Sequence, residues 1–73
     1  SKQTNIVVEF ENDSDVAIEI YNFYGQKIDE ICNTNLASGK HHFIWNASQQ
    51  EKGVYMCKME LNSEIHTIKL IVL

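Results

Sequence analysis

Three residue types in this 73-residue chain could carry chemistry: two cysteines, three histidines and ten carboxylates. Cys32 and Cys57 allow one pairing, and each falls within an expected strand. As free thiols they read as small buried hydrophobes; in a secreted parent they could instead close a disulfide. A metal reading would need a CxxC or an adjacent Cys/His pair, and neither occurs. His41 and His42 are neighbours, but successive strand residues point to opposite faces, so together with His66 they make a poor ligand set. Ser38, His41 and Asp29 supply the letters of a hydrolytic triad without a nucleophile-elbow pattern around the serine. Glu9, Glu11, Glu19 and Glu30 read as solvated strand positions that discourage edge-to-edge pairing. Asn12-Asp13-Ser14 and Asn46-Ala47-Ser48 match the glycosylation sequon, which has meaning only in a eukaryotic secretory context. The expectation is of no catalytic, cofactor-binding or metal-binding residue, and of a protein that is not an enzyme.

Tyr21, Phe23 and Tyr24 cluster at one turn. Such a trio either caps the end of a small core or forms an aromatic platform for a ligand, since sandwich loops commonly carry binding.

The elements that would position these residues are strands. Ile18 to Ile28 is the organising stretch, an alternating strand, a turn closed by Gly25 and a returning strand. Val16, Ile18 and Ile20 face one way, and Ala17, Glu19 and Tyr21 the other. Asn22 and Gly25 suit a hairpin loop of three to five residues. Before it, Thr4 to Glu11 alternates with Ile6, Val8 and Phe10 on one face, and Asn12 to Asp15 is a polar turn. The returning strand runs from Gln26 to about Cys32. There the alternation breaks, with Ile28 and Ile31 on opposite faces of a regular strand, and a bulge that re-aims one residue accounts for it. Asn33-Thr34-Asn35 reads as a loop. His41 to Asn46 then places His41, Phe43 and Trp45 together, with an acceptor required for the indole N–H once Trp45 is buried. A polar loop ends at Gly53, and Val54 to Leu61 alternates cleanly, with Tyr55, Cys57, Met59 and Leu61 on one face. After a turn at Asn62 to Glu64, Ile65 to Leu73 carries apolar residues on both faces, which implies burial or a partner on each side.

Six to seven short strands, with turns every eight to twelve residues and no helical period, make an all-β, antiparallel, immunoglobulin-like β-sandwich. The chain is expected to be a single domain, residues 1–73, cut from a longer protein. Seven aromatic residues and a 44% apolar composition suffice for one core. A net charge of −4 with scattered basic residues offers no footprint for nucleic acid. No apolar run approaches the roughly 20 residues of a membrane-spanning helix, so no direct membrane insertion is expected.

Four pieces, taken in order, resemble one family. They are Val16-x-Ile18-x-Ile20-Tyr21-Asn22-x-x-Gly25-Gln26-x-Ile28, Leu36-x-x-Gly39-x-His41-x-Phe43-x-Trp45-Asn46, Gly53-Val54-Tyr55-x-x-Lys58-x-Glu60 and Thr67-x-Lys69-Leu70-Ile71-Val72. The set resembles the C-terminal sorting domain, type A, of proteins exported by the type IX (Por) secretion system of Bacteroidetes. It is similar also to the immunoglobulin-like domain of the flagellar hook-capping protein. The closing motif stands at the chain's end, where that family carries its signal. This sequence has Asn46-Ala47 where many relatives have Asp-Gly after the tryptophan, and its last residue is Leu rather than Lys. The resemblance implies a non-enzymatic export address on an upstream cargo domain of the same chain. Its partner would be the type IX outer-membrane translocon and sorting machinery. The cargo would pass through the periplasm and end secreted or on the cell surface. It also implies that Gly25, Gly39, Trp45, Gly53 and Tyr55 determine the fold and that Lys69, Leu70, Ile71, Val72 and Leu73 form the recognised tail. The rival reading is an immunoglobulin-like adhesion or carbohydrate-contacting module that uses the aromatic turn.

Overall fold

A computed structural model describes residues 3–73. Six strands follow in order: β1 Gln3–Phe10, β2 Ser14–Tyr21, β3 Lys27–Leu36, β4 Gly39–Asn46, β5 Gly53–Leu61 and β6 Glu64–Val72. All pairings are antiparallel. β1 and β4 make a two-stranded sheet, and a four-stranded sheet runs β3-β2-β5-β6. There is no helix among the described residues, and the architecture is the expected all-β sandwich, compatible with a small immunoglobulin-like fold.

Alternation decides which face each strand buries. Ile6 from β1, Val16, Ile18 and Ile20 from β2, and Tyr55, Cys57 and Met59 from β5 meet in one core with Trp45 of β4. Ile18, Ile20, Trp45 and Cys57 are its most deeply buried large side chains. The turn between β2 and β3 is held by Asn22, whose Oδ1 accepts from the Tyr24 and Gln26 N–H groups at 2.9 and 3.0 Å. Gly25 closes it at φ +83°, a left-handed value that an L side chain adopts only with strain.

The irregular alternation of β3 has two bulges behind it rather than one. Ile18 faces Cys32 while Glu19 faces Glu30, which leaves Ile31 as the extra residue. Ile20 faces Asp29 while Tyr21 faces Lys27, which leaves Ile28. Each bulge turns its isoleucine toward the core, against which both pack. The strand does not stop at Cys32. Asn33, Thr34 and Asn35, expected as a loop, pair with Ala17, Val16 and Asp15 and carry β3 to Leu36. Polar composition misleads there because these residues lie exposed in an edge strand, where burial does not select for apolar side chains.

Two further expectations need correction. The buried indole N–H of Trp45 has no hydrogen-bond partner among the described residues. Its ring packs edge to face on Tyr55, with centroids 5.5 Å apart. Burying an indole of about 200 Å² is worth about 5 kcal/mol, which exceeds the roughly 1–3 kcal/mol cost of one unpaired donor. The second concerns burial as the reason for the apolar residues of β6, whose faces the chain itself does not both cover: Ile65, Ile68 and Ile71 are about half exposed or more. The partner sheet has two strands against four and leaves most of β6 bare.

Both cysteines are buried and free. Cys32 faces Ile18 from one side of β2 and Cys57 faces Ile20 from the other. Two strand spacings, roughly 10 Å, therefore separate them, beyond the ~7 Å Cα limit for a disulfide. Burial also pushes the Cys57 thiol above its usual range. Neither thiol is expected to react with a soluble thiol reagent in the native state, with labelling at least about a hundredfold slower than in denaturant. Added reductant should leave the melting temperature unchanged.

Candidate functional site

The histidines are scattered. His41 Nε2 is bonded to the Ala37 carbonyl at 2.7 Å, His42 to Asn5 Oδ1 at 3.0 Å, and His66 lies 2.9 Å from Glu64. No group of three His, Cys, Asp or Glu side chains that could hold a metal occurs among the described residues. Asp29 accepts from the Glu30 N–H and His41 is bonded to the Ala37 carbonyl, so these two triad letters are engaged elsewhere than with Ser38. The sequon residue Asn46 accepts from the Ser48 N–H, and Ser14 donates to the Asn12 carbonyl.

The aromatic trio divides. Tyr21 lies half-buried on the outer sheet face, where its hydroxyl donates to Glu19 at 2.9 Å and Lys58 approaches its ring at 6.0 Å. Phe23 and Tyr24 are 77% and 86% exposed and pack edge to face on one another, so they do not cap the core. They border a cleft of about 390 Å³ shared with the loop that carries Gln49, Gln50 and Glu51.

Of the residues expected to determine the fold, Gly53 and Tyr55 pair with the expected tail at one end of the large sheet, whereas Gly25 closes the β2–β3 turn and Gly39 and Trp45 lie on β4 of the smaller sheet. Gly53 pairs with Val72, Val54 with Ile71, Tyr55 with Leu70 and Met56 with Lys69. Tyr55 links this end to the core by its contact with Trp45, and to the preceding loop by donating its hydroxyl to the Glu51 carbonyl at 2.6 Å. Gly53 and Gly39 open β5 and β4 at positive φ, with open space where a Cβ would stand. Within the tail, Val72 is 7% exposed and Leu70 is half-buried, while Lys69, Ile71 and Leu73 face solvent.

The two edges of the large sheet differ in a way composition did not reveal. β3 is guarded by its two bulges and by charge. Lys27 reaches Glu19 at 2.9 Å and Glu30 at 2.8 Å. The hydrogen bond from Lys27, then that from Tyr21, holds the Glu19 carboxyl below its usual range; those to Glu30 and Glu19 raise Lys27. β6 has no bulge, and its charges are an exposed Lys69 and the Glu64 that meets His66. Its nine residues pair with β5 without a register shift, and no strand among the described residues pairs with its outer edge, which offers N–H and C=O groups in a regular row.

A family model described as the secretion system C-terminal sorting domain matches residues 2–73. The chain belongs to that family. Searches among curated proteins and solved structures give no significant match. Membership makes the chain a C-terminal sorting signal of the type IX secretion system, carried by a protein that is exported and ends secreted or on the cell surface. The large sheet of this sorting domain thus has one bulged edge, β3, and one regular edge, β6.

Proposed function

We propose that β6 is the element of this sorting domain that the type IX outer-membrane translocon reads, with Lys69 to Leu73 as the recognised tail. Recognition is by strand addition: a strand of the sorting machinery pairs with the open edge, and the exposed Lys69 and Ile71 side chains give specificity. The domain works without catalysis, as an address on an upstream cargo domain that crosses the periplasm before export. The observation that carries this reading is the contrast between the edges. Long, regular, apolar edges are aggregation hazards that folded proteins normally guard, as β3 is guarded. The regular, unbulged end of β6 coincides with the tail that the family resemblance singles out.

The test fuses a reporter and an N-terminal export signal to the domain in a type IX-competent host. The intact domain is expected to bring the reporter to the surface or medium. The Lys69→Glu, Ile71→Lys double variant changes only exposed side chains, so it should stay folded and lose at least about tenfold in export. Periplasmic retention of the intact fusion would sink the address reading. Unchanged export of the double variant would place the signal elsewhere.

A second reading has one observation in its favour. The exposed rings of Phe23 and Tyr24, beside the amides of Gln49 and Gln50, fit contact with a carbohydrate face. A glycan array on which the domain and its Tyr24→Ala variant give the same signals would end it.

A further inference from the structure

The free edge of β6 is complementary to itself. We infer that β6 pairs antiparallel with β6 of a second copy, about a two-fold axis through Ile68, joining two four-stranded sheets into one of eight. Residues opposed in an antiparallel ladder share a face, so only registers that keep each face continuous are allowed. With Ile68 on the axis, Ile68 meets Ile68 and His66 meets Leu70 on the inner face. On the outer face Ile65 meets Ile71 and Thr67 meets Lys69. Every isoleucine of the strand then faces another isoleucine, while Glu64 is set against Val72 at each end.

The neighbouring registers are worse, for reasons that can be read from the same strand. A shift of two residues one way sets Lys69 against Lys69, a like-charge pair in direct opposition. The shift the other way puts Thr67 on the axis, which opposes Ile68 to His66 and Ile65 to Lys69, so that no isoleucine meets another. β6 is also sterically open to a neighbour. The two-stranded sheet covers its inner face only at Leu70 and Val72 and leaves Ile68 47% exposed, and the β5–β6 register is unbroken along the full strand. β3, with its bulges and the Lys27 ion pairs, cannot present a comparable flat edge. One strand's width of contact places the dimer at the weak, reversible end of the interface scale. Each copy carries a net charge of −4, so salt should strengthen the association by screening the repulsion. The proposed recognition uses the same edge, so pairing between copies and strand addition by the translocon exclude one another, while the cross-linking pattern tests the pairing by itself.

Three exposed positions report the register. Ile65, Ile68 and Ile71 are 56%, 47% and 62% exposed, so single cysteines there are comparably accessible and do not disturb the core. Cys32 and Cys57 are buried and contribute no background. Under mild oxidation Ile68→Cys is expected to form a disulfide dimer at least about tenfold faster than Ile65→Cys or Ile71→Cys alone. Mixing the Ile65→Cys and Ile71→Cys proteins should restore the fast rate. Sedimentation of the unmodified domain should show a concentration-dependent shift toward dimer that grows with salt. Equal cross-linking at all three positions, or a monomer at every concentration up to about millimolar, would overturn the pairing.

Discussion

Trp45→Ala is expected to unfold the domain. Trp45 is 1% exposed, the largest of the fully buried side chains, and it joins β4 to Tyr55 across the sandwich. Large aromatic-to-alanine replacements in cores cost about 3–5 kcal/mol, from lost transfer energy and the cavity left behind. A domain of this size holds about 4–11 kcal/mol in total, at 0.05–0.15 kcal/mol per residue. The loss would lower the melting temperature by roughly 12–40 °C. Trp45→Phe keeps most of the burial and removes the unpaired indole N–H, so its cost should be less than half that of alanine. Thermal melts of the three proteins decide the point: an alanine variant within a few degrees of the parent would show that Trp45 does not hold the two sheets together.

Deleting Lys69 to Leu73 is expected to cost nearly as much, and for a reason separate from recognition. Val72 is buried and Leu70 half-buried; losing their burial is worth about 3–4 kcal/mol. The same cut strips Gly53, Val54, Tyr55 and Met56 of their strand partners, at the end of the sheet where Tyr55 packs on Trp45. Val72→Ala alone should cost about 1.5 kcal/mol, two methyl groups' worth of burial. Ile71→Ala, at an exposed position, should stay within about 0.5 kcal/mol. Urea titrations of the four proteins give the ordering, and a deletion as stable as the parent would show that the tail does not pack. The result bears directly on export experiments. A truncation that abolishes secretion confounds an unfolded domain with an unread signal, whereas Lys69→Glu with Ile71→Lys separates them.

Much of the fold was legible because its strands alternate. The inward set of β2 and β5, the hairpin turn at Asn22 and Gly25, and the grouping of His41, Phe43 and Trp45 follow from a two-residue period and from glycine's access to positive φ. The broken period at Ile28 and Ile31 announced a bulge, although not that there were two. Family membership likewise rested on residues spread in order along the whole chain, from Val16 to Val72.

What the sequence by itself could not decide was everything that depends on which strand lies beside or above another. Polar Asn33 to Asn35 looked like a loop, because a strand at an exposed edge has no buried side to mark it. The double-faced apolar pattern of β6 looked like burial, because local sequence cannot state that the opposing sheet has only two strands. The same blindness hid the contrast between a guarded β3 edge and an open β6 edge. The separation of Cys32 from Cys57 is of this kind too, since a pair of thiols 25 positions apart in sequence is compatible with contact until β2 is placed between them. Alternation is a local property, set by each residue's own backbone. Exposure of an edge is a property of the assembled sheets, and on it rests the reading of β6 as the working surface of this sorting domain.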